Sequence, residues 1–468
     1  MVRLLSSPDS EPSPLPHPQA VVGPVARVVV VGAGIAGLTA AYELGRAGLE
    51  CVVLEMRDRV GGRMHTVDLA GAPVDLGASW IHQPVGNPLR DLARRLGIPC
   101  RAGNPLGALT GYDLGERRRL RTDEVDALFA LVHGDFPAAL GGLREVMEPD
   151  ASAAEASEAF LDGAGLGRAE QRRARQALRA EIEADGSDVA ERHALRWLWR
   201  EEEYDGDFFG DLPEGGFHSV VEALAREVGP RLGVEVDEVV TTSDGARVRD
   251  TDGATYDGSH ILVTVPLGVL KQGRPRFVPP LPPERVEAAH RLGFGHYEKV
   301  ALAFPTAFWR SAGIAHLVLF PEDPDEAAMW VFDHDAFGGR PVLECHVLHS
   351  ATGHLLAGTD DDAVQAVLER LAAVFGDAAR TPSAVRVTRW ADEPATGGAY
   401  THLPPGTHPD DLDLLGEPVG GRLLFAGEHT QSARVGYADG ALSSGLREAT
   451  RLLDAHRRWS GSRESDSL

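Results

Sequence analysis

The chain is predicted to be an α/β protein, mixed helix and sheet overall, in which a parallel-sheet unit opens the sequence and a second unit combines a mixed sheet with helices. Two observations carry that expectation. Residues 27–31 form the β-branched run RVVVV, which ends in Gly32-Ala-Gly34-Ile-Ala-Gly37, and LTAAYELGRAGL behind it has helical spacing. This reads as strand, tight turn, helix. A second apolar run, CVVLE, then ends on the acidic Glu55.

From about Pro88 to Glu214, helix-like stretches alternate with Gly and Pro breaks. Ser152-Ala-Ala-Glu155 has the spacing of a capping box, and RAEQRRARQALRAEIEA reads as a solvated amphipathic helix. Strand patterns return in VEVDEVVTT, ARVRDTDG and HILVTVP. The proline-punctuated PRFVPPLPPERVEAAHRL leads into a helix, and KVALAF, VLECHVL and AVRVTRW add strands. The strand RLLFAG and the helix YADGALSSGLREATRLL close the chain. Nucleotide-type motifs thus fall near both ends and around 235–270. The parallel-sheet domain is therefore expected from three segments, 26–85, 215–275 and 387–455, with 86–214 and 276–386 forming the second domain. Residues 1–25, with five prolines in the first twenty, and residues 456–468 are expected to be flexible tails.

Composition excludes several classes. Hydrophobic residues at 43% and charged residues at 25% describe a globular chain and exclude a fibrous or disordered one. Lys and Arg number 46 against 70 Asp and Glu, a net charge of −24. That surplus argues against a nucleic-acid or anionic-membrane partner and favours cationic small molecules. Cys51, Cys100 and Cys345 are too few and scattered for a disulfide framework or a metal cluster. No HExxH, GxSxG or Cys/His cluster occurs, so no metal is expected. No stretch reaches the roughly 18 apolar residues of a membrane span. With no signal-type segment either, the expected compartment is a reducing cytoplasm.

The glycine loop has a chemical reading. Gly32 permits the tight turn, Gly34 lets backbone approach a pyrophosphate, and Gly37 allows close helix packing, with the helix N-terminus facing the phosphates. Glu55, eighteen residues after Gly37, can accept from ribose hydroxyls. NAD and FAD share this fingerprint. The stretch Arg57-Asp-Arg59-Val-Gly61-Gly62-Arg63 adds a second glycine pair and arginines suited to another phosphate approach, the alternative being a basic surface turn.

At this point the sequence resembles a known family. The run VVVVGAGIAGLTAAYELGRAGLECVVLEMRDRVGGRMHTVDLAGAPVDLGASWIH is similar to the N-terminal segment of the flavin-containing amine oxidases, and LLFAGEHTQSARVGYADGALSSGLREA to their closing FAD segment. HILVTVPLGVLK, GFGHYEKVALAFPTAFW and RWADEPATGGAYTHLPPG match further family blocks in order, so the resemblance spans about residues 26–455. GASWIH followed by GNP is most similar to polyamine oxidases.

The resemblance implies a Rossmann-like FAD-binding domain and a substrate domain. FAD would be held by Gly32, Gly34, Gly37, Glu55, Arg57, Arg63, Gly77, Ala78, Ser79, Trp80, Val240, Gly427, Glu428, Tyr437 and Ala438. Ala399 stands where monoamine oxidases carry the cysteine that attaches the flavin, which implies a noncovalent cofactor. Lys299, one of only two lysines, matches the lysine hydrogen-bonded through a water to the flavin; its bland alternative is a surface lysine at a strand start. Trp390 would lie by the flavin edge. Tyr400 and Tyr437 would flank the substrate amine as an aromatic cage, a sensible use of ring faces that attract cations. His82 matches a histidine near the amine, although a lone histidine is usually structural. The family often has glycine next, where this chain has Gln83. The implied reaction oxidises a small-molecule amine, polyamine-like or otherwise aliphatic, to an imine and then an aldehyde, while dioxygen becomes hydrogen peroxide.

Residues 201–214, EEEYDGDFFGDLPE, hold seven acids and no base. They read either as a solvated face or as a funnel for polycations. Two other functions compete: an FAD-dependent desaturase or oxidase of a carbon skeleton, which Tyr400, Tyr437 and Lys299 oppose, and a demethylase-like binding module, for which no inserted helical tower or extra N-terminal domain is visible.

Overall fold

The computed structural model describes residues 20–103, 109–334 and 340–465, with side chains to residue 460. Its parallel sheet has the strand order Glu50–Leu54, Arg27–Val31, His260–Val263, Leu423–Phe425. These strands are apolar runs without alternation because both faces are covered. Val28 and Val30 pack under the helices, whereas Val29 and Val31 pack under a second sheet that includes Val239, Val248 and Phe277. On the helical side Ile35–Arg46 crosses Ala438–Ser465 so closely that a Cβ on Gly445 would lie 2.3 Å from the Ala36 carbonyl.

The second sheet runs Thr255–Gly258, Ala246–Asp250, Val236–Thr241, Arg276–Val278. Its last strand, assigned by sequence to the other domain, pairs in parallel with Val236–Thr241. The turn-rich stretch after Lys271 reads as a boundary, but the chain returns once more to this sheet before leaving it.

The third sheet has seven strands, ordered Ala384–Val387, Tyr297–Ala303, Val342–Leu348, Met329–Asp333, His316–Phe320, Leu109–Asp113, Arg118–Arg119. Strand periodicity sorts its side chains. Val300, Leu302, Leu343, Cys345 and Val347 pack into the core shared with the helix Asp360–Phe375. Lys299, Glu344 and His346 consequently point to the opposite face. Helices between Thr122 and Gly186 build a separate apolar cluster beside this sheet.

Ser152 and Glu155 form the expected capping box, with Ser152 N–H donating to Glu155 Oε2 at 2.8 Å and Glu155 N–H to Ser152 Oγ at 3.2 Å. The helix Arg168–Gly186 is less solvated than its composition implies, since Arg173, Gln176, Leu178, Ile182 and Glu183 are buried. Of the expected tails, residues 1–19 and 466–468 lie outside the described residues. Residues 20–25 are tied down: Val25 is buried and its carbonyl accepts from His456 Nδ1 at 2.9 Å. The final helix continues through 456–465 rather than ending at 455, because neither proline nor glycine interrupts it between Gly445 and Gly461. Among the described residues no helix is long and apolar enough to cross a membrane.

Candidate active site

The loop after the first strand opens onto a cavity of about 960 Å³ between the parallel sheet and the seven-stranded sheet. Gly32 sits at φ +107°, where a Cβ would meet Thr264 Oγ1 at 2.5 Å. A Cβ on Gly37 would lie 2.2 Å from the Gly32 carbonyl. Gly34 has nothing within 4 Å of its Cβ direction, and Gly62 has only the Gly34 Cα at 3.7 Å. These two glycines leave a cradle of bare backbone at the start of Ile35–Arg46, a helix whose N-terminus has no side-chain cap. Its first N–H groups are free for an anion. Glu55 Oε2 accepts from Ala33 N–H at 2.9 Å and Oε1 from Arg57 N–H at 3.0 Å, so the carboxylate is fixed at the loop with lone pairs to spare. The cradle and the anchored carboxylate fit a dinucleotide of the FAD type.

Seventeen of the nineteen site residues expected from sequence line this cavity; Gly37 and Val240 do not. Gly37 acts through packing, as its contact with Gly32 requires. Val240 is corrected: it pairs with Arg247 and Val278 inside the second sheet, while Val234, Glu235, Val236 and Asp237 form the wall, because the strand turns away from the cavity after its first residues.

Arg63 donates to Glu428 Oε1 at 3.0 Å and to the Ala399 carbonyl. Glu428 is buried and also accepts from Thr401 Oγ1 at 3.1 Å and Gly436 N–H at 3.1 Å. Arg57 pairs with Glu393. Gly77 must be glycine, since a Cβ would collide with the Arg63 carbonyl.

Lys299 is 3% exposed. Its ammonium donates to Glu344 Oε1 at 2.7 Å, to the Asp75 carbonyl at 2.9 Å and to Ser79 Oγ, which accounts for all three N–H groups. Of these partners only Ser79 lines the cavity. Burial pushes the Glu344 carboxyl up, but Lys299 and a hydrogen bond from His346 outweigh it and hold the group well below the usual carboxylate range. Trp80 lies over this cluster, its ring 5.7 Å from Lys299 Nζ.

Trp390 is buried, its Nε1 donating to the Leu76 carbonyl at 3.1 Å. Tyr400 lies 5.9 Å from Tyr297 and donates to the Ala184 carbonyl. Tyr437 is not a free cage wall: Arg434 lies 4.0 Å over its ring, and His82 meets it edge-on at 5.5 Å. Burial pushes His82 down to about 4, so the neutral ring donates from Nδ1 to the Phe208 carbonyl at 2.6 Å. Gln83, at φ +49°, accepts from Arg434 Nη1 at 3.2 Å, which anchors its bulk to the wall.

The far end of the cavity carries residues that sequence reasoning missed. Glu181 and Asp185 project into it from one face of Arg168–Gly186, joined by Glu201 and Glu203 from the acidic run, amid Phe129, Val132, Leu140 and Trp199. Burial raises Glu181 to about 8, and burial first of all raises Asp185 and Glu201 as well. The i,i+4 spacing of Glu181 and Asp185, with no arginine between them, is the signal that was available. The rest of the acidic run divides: Asp211 pairs with Arg90, while Asp205 and Asp207 face solvent.

Residues 35–453 match the family model of flavin containing amine oxidoreductases. A lysine-specific histone demethylase 1 homolog 3 from Oryza sativa subsp. indica is 33% identical over 451 residues, covering 91% of this chain and 54% of the relative. Protein FLOWERING LOCUS D from Arabidopsis thaliana is 33% identical, covering 92% and 55%. The chain thus spans about half the length of the curated relatives it matches. A solved putrescine oxidase mutant, from a redesign of cofactor binding, superimposes with a TM-score of 0.74 at 21% identity, covering 92% of this chain and 100% of that one.

Proposed function

The chain belongs to the flavin-containing amine oxidoreductase family, and on that premise we propose that it oxidises aliphatic polycationic amines with dioxygen as acceptor. The cofactor is FAD, bound noncovalently; no cysteine lines the cavity among the described residues. When bound, FAD supplies the two-electron acceptor for the carbon–hydrogen bond beside nitrogen. Glu55, the Gly34 and Gly62 cradle and the uncapped helix N-terminus would hold its nucleotide portion. Ser79, Trp80, Trp390 and Lys299 would wall its reacting portion. The substrate carbon gives up a hydride equivalent, the carbon–nitrogen double bond forms, and water hydrolyses the imine to an aldehyde and an amine. Dioxygen takes up two electrons and two protons as hydrogen peroxide.

The observation that supports a polycationic substrate is the lobe holding Glu181, Asp185 and Glu201. Three half-buried carboxylates that face one cavity and repel one another are mutually unfavourable, and a ligand with spaced ammonium groups relieves that cost. The apolar Phe129, Val132, Leu140 and Trp199 that line the same cavity suit methylene spacers. A second reading is oxidation of methylated lysine side chains, favoured by relatives named histone demethylases. Its substrate would also be cationic, but attached to a peptide.

A peroxide assay tests both with spermine, acetylspermine, putrescine, benzylamine, amino acids and a methyl-lysine peptide. Turnover of a free polyamine well above the peptide supports the proposal. Turnover confined to the peptide, or preference for benzylamine, overturns it.

A further inference from the structure

Glu344, His346 and Tyr297 have no role in the reaction described so far; Tyr297 and His346 line the cavity, and Glu344 lies behind them. Tyr297–Ala303 and Val342–Leu348 pair so that Lys299 stands opposite His346 and Ala301 opposite Glu344. Because Val300, Leu343, Cys345 and Val347 take the core face, Lys299, Glu344 and His346 share the other one. Glu344 Oε1 receives Lys299 Nζ at 2.7 Å and lies 3.1 Å from His346 Nε2. His346 Nδ1 meets the Tyr297 hydroxyl. Lys299, Glu344 and His346 are each at most 4% exposed.

The proton directions follow from charge. An ionised Glu344 only accepts, so His346 carries its proton on Nε2. Burial pushes His346 down to about 4, leaving Nδ1 as the acceptor for the Tyr297 hydroxyl. Tyr297 therefore fixes the His346 tautomer, His346 fixes the Glu344 oxygen, and that oxygen fixes the ammonium. Tyr297 and His346 both line the cavity, so the chain runs from the substrate wall to the lysine.

We propose that Glu344 and His346 are positioning residues that hold Lys299 charged and aimed, with Tyr297 as the brace. The proposal rests on the reading that Lys299 serves the flavin. Without Glu344 the ammonium would keep only the neutral Asp75 carbonyl and Ser79 hydroxyl. A buried ammonium without a counter-charge shifts toward the neutral amine. The other ionisable groups facing this site are the Asp75 carboxyl, which burial raises to about 7, and His334, whose charge acts on Glu344.

The chain has only two lysines, Lys271 and Lys299. In holoenzyme carrying Lys271→Arg and ¹³Cε-labelled lysine, one resonance therefore reports Lys299 alone. Glu344→Gln is expected to move the ammonium-to-amine transition lower by about one pH unit or more. His346→Leu should move it the same way. His346→Gln should keep it near the parent's, because an amide can donate to Glu344 and accept from Tyr297. Turnover of the best amine should fall about tenfold or more in Glu344→Gln, yet Glu344→Gln should add little in a Lys299→Met background, the non-additivity of groups acting as one. An unmoved resonance, or an equal loss in both backgrounds, overturns the proposal. Should Glu344→Gln fail to fold, the His346→Leu and His346→Gln pair carries the same measurements. If Lys299→Met turns over at the parent rate, the role of Lys299 falls instead, and the resonance still decides whether Glu344 holds its charge.

Discussion

Arg434 lays its guanidinium 4.0 Å above the ring of Tyr437 and pairs with Asp439 at 3.0 Å. Asn87 joins this group, donating to Asp439 Oδ2 at 2.9 Å and to the His82 carbonyl at 2.8 Å. The arginine and the aspartate are both buried. One cation of the protein therefore occupies a ring face that a substrate cation would otherwise use, and it ties the His82 loop to the last helix.

Arg434→Met leaves Asp439 buried with Asn87 as its remaining side-chain partner. The expected loss of stability is about 3–5 kcal/mol, as when one partner of a buried pair is removed. Arg434→Met combined with Asp439→Asn should recover much of it. Thermal melting of the three holoenzymes checks this, and equal melting temperatures for parent and single variant would remove the pair from the fold's support.

Gly34→Ala and Gly37→Ala should separate cofactor binding from folding. A Cβ at Gly34 meets no protein atom, and its φ of −75° accommodates alanine. That variant should fold but bind FAD poorly, since the methyl enters the cradle. Gly37→Ala forces a contact at 2.2 Å and should destabilise the whole domain. Circular dichroism and flavin absorbance per polypeptide, measured together, distinguish the two.

Glu181 is raised to about 8 by burial. A carboxyl raised above its unfolded value subtracts stability as pH climbs from the unfolded value, near 4.5, toward 8. Glu181→Gln should therefore match the parent's melting temperature at pH 4 and exceed it at pH 8. The same variant should bind spermine less tightly. Polyamine binding to the parent should release protons at pH 7, which calorimetry in buffers of different ionisation enthalpy measures; buffer-independent heats would place the ammonium groups elsewhere.

Lys299→Met keeps length and removes the charge. It should retain fold and FAD while turnover falls by roughly 10²–10⁴, the range of a positioned proton-transfer group. Stopped-flow traces separate anaerobic reduction from aerobic reoxidation, and reoxidation should carry the larger loss. Parent rates in both halves would make Lys299 an ordinary strand residue.

Much of this molecule was legible in its sequence because the relevant physics is short-range. The run RVVVV, the spacing of Gly32, Gly34 and Gly37, the acid closing CVVLE and the Ser152–Glu155 box each depend on neighbours within a few residues. Strand alternation in VLECHVL likewise puts Glu344 and His346 on one face, a pattern visible before any fold is known. Arg168–Gly186 misled for the same reason: its charges look solvated along the helix, and only neighbours distant in sequence bury them.

By itself, then, the sequence determined the strand–glycine-loop–helix start, the acid after the second strand and the order of the blocks, since propensity, backbone freedom and periodicity are properties of adjacent residues. Only the tertiary structure decided that Glu344 neutralises Lys299, that Arg434 covers Tyr437, that Glu181 and Asp185 enter the cavity, and that the wall is formed around Val236 rather than Val240. Each is a contact between segments far apart in the chain. Its existence depends on how two sheets and a helical cluster pack, and local pattern carries no information about that distance.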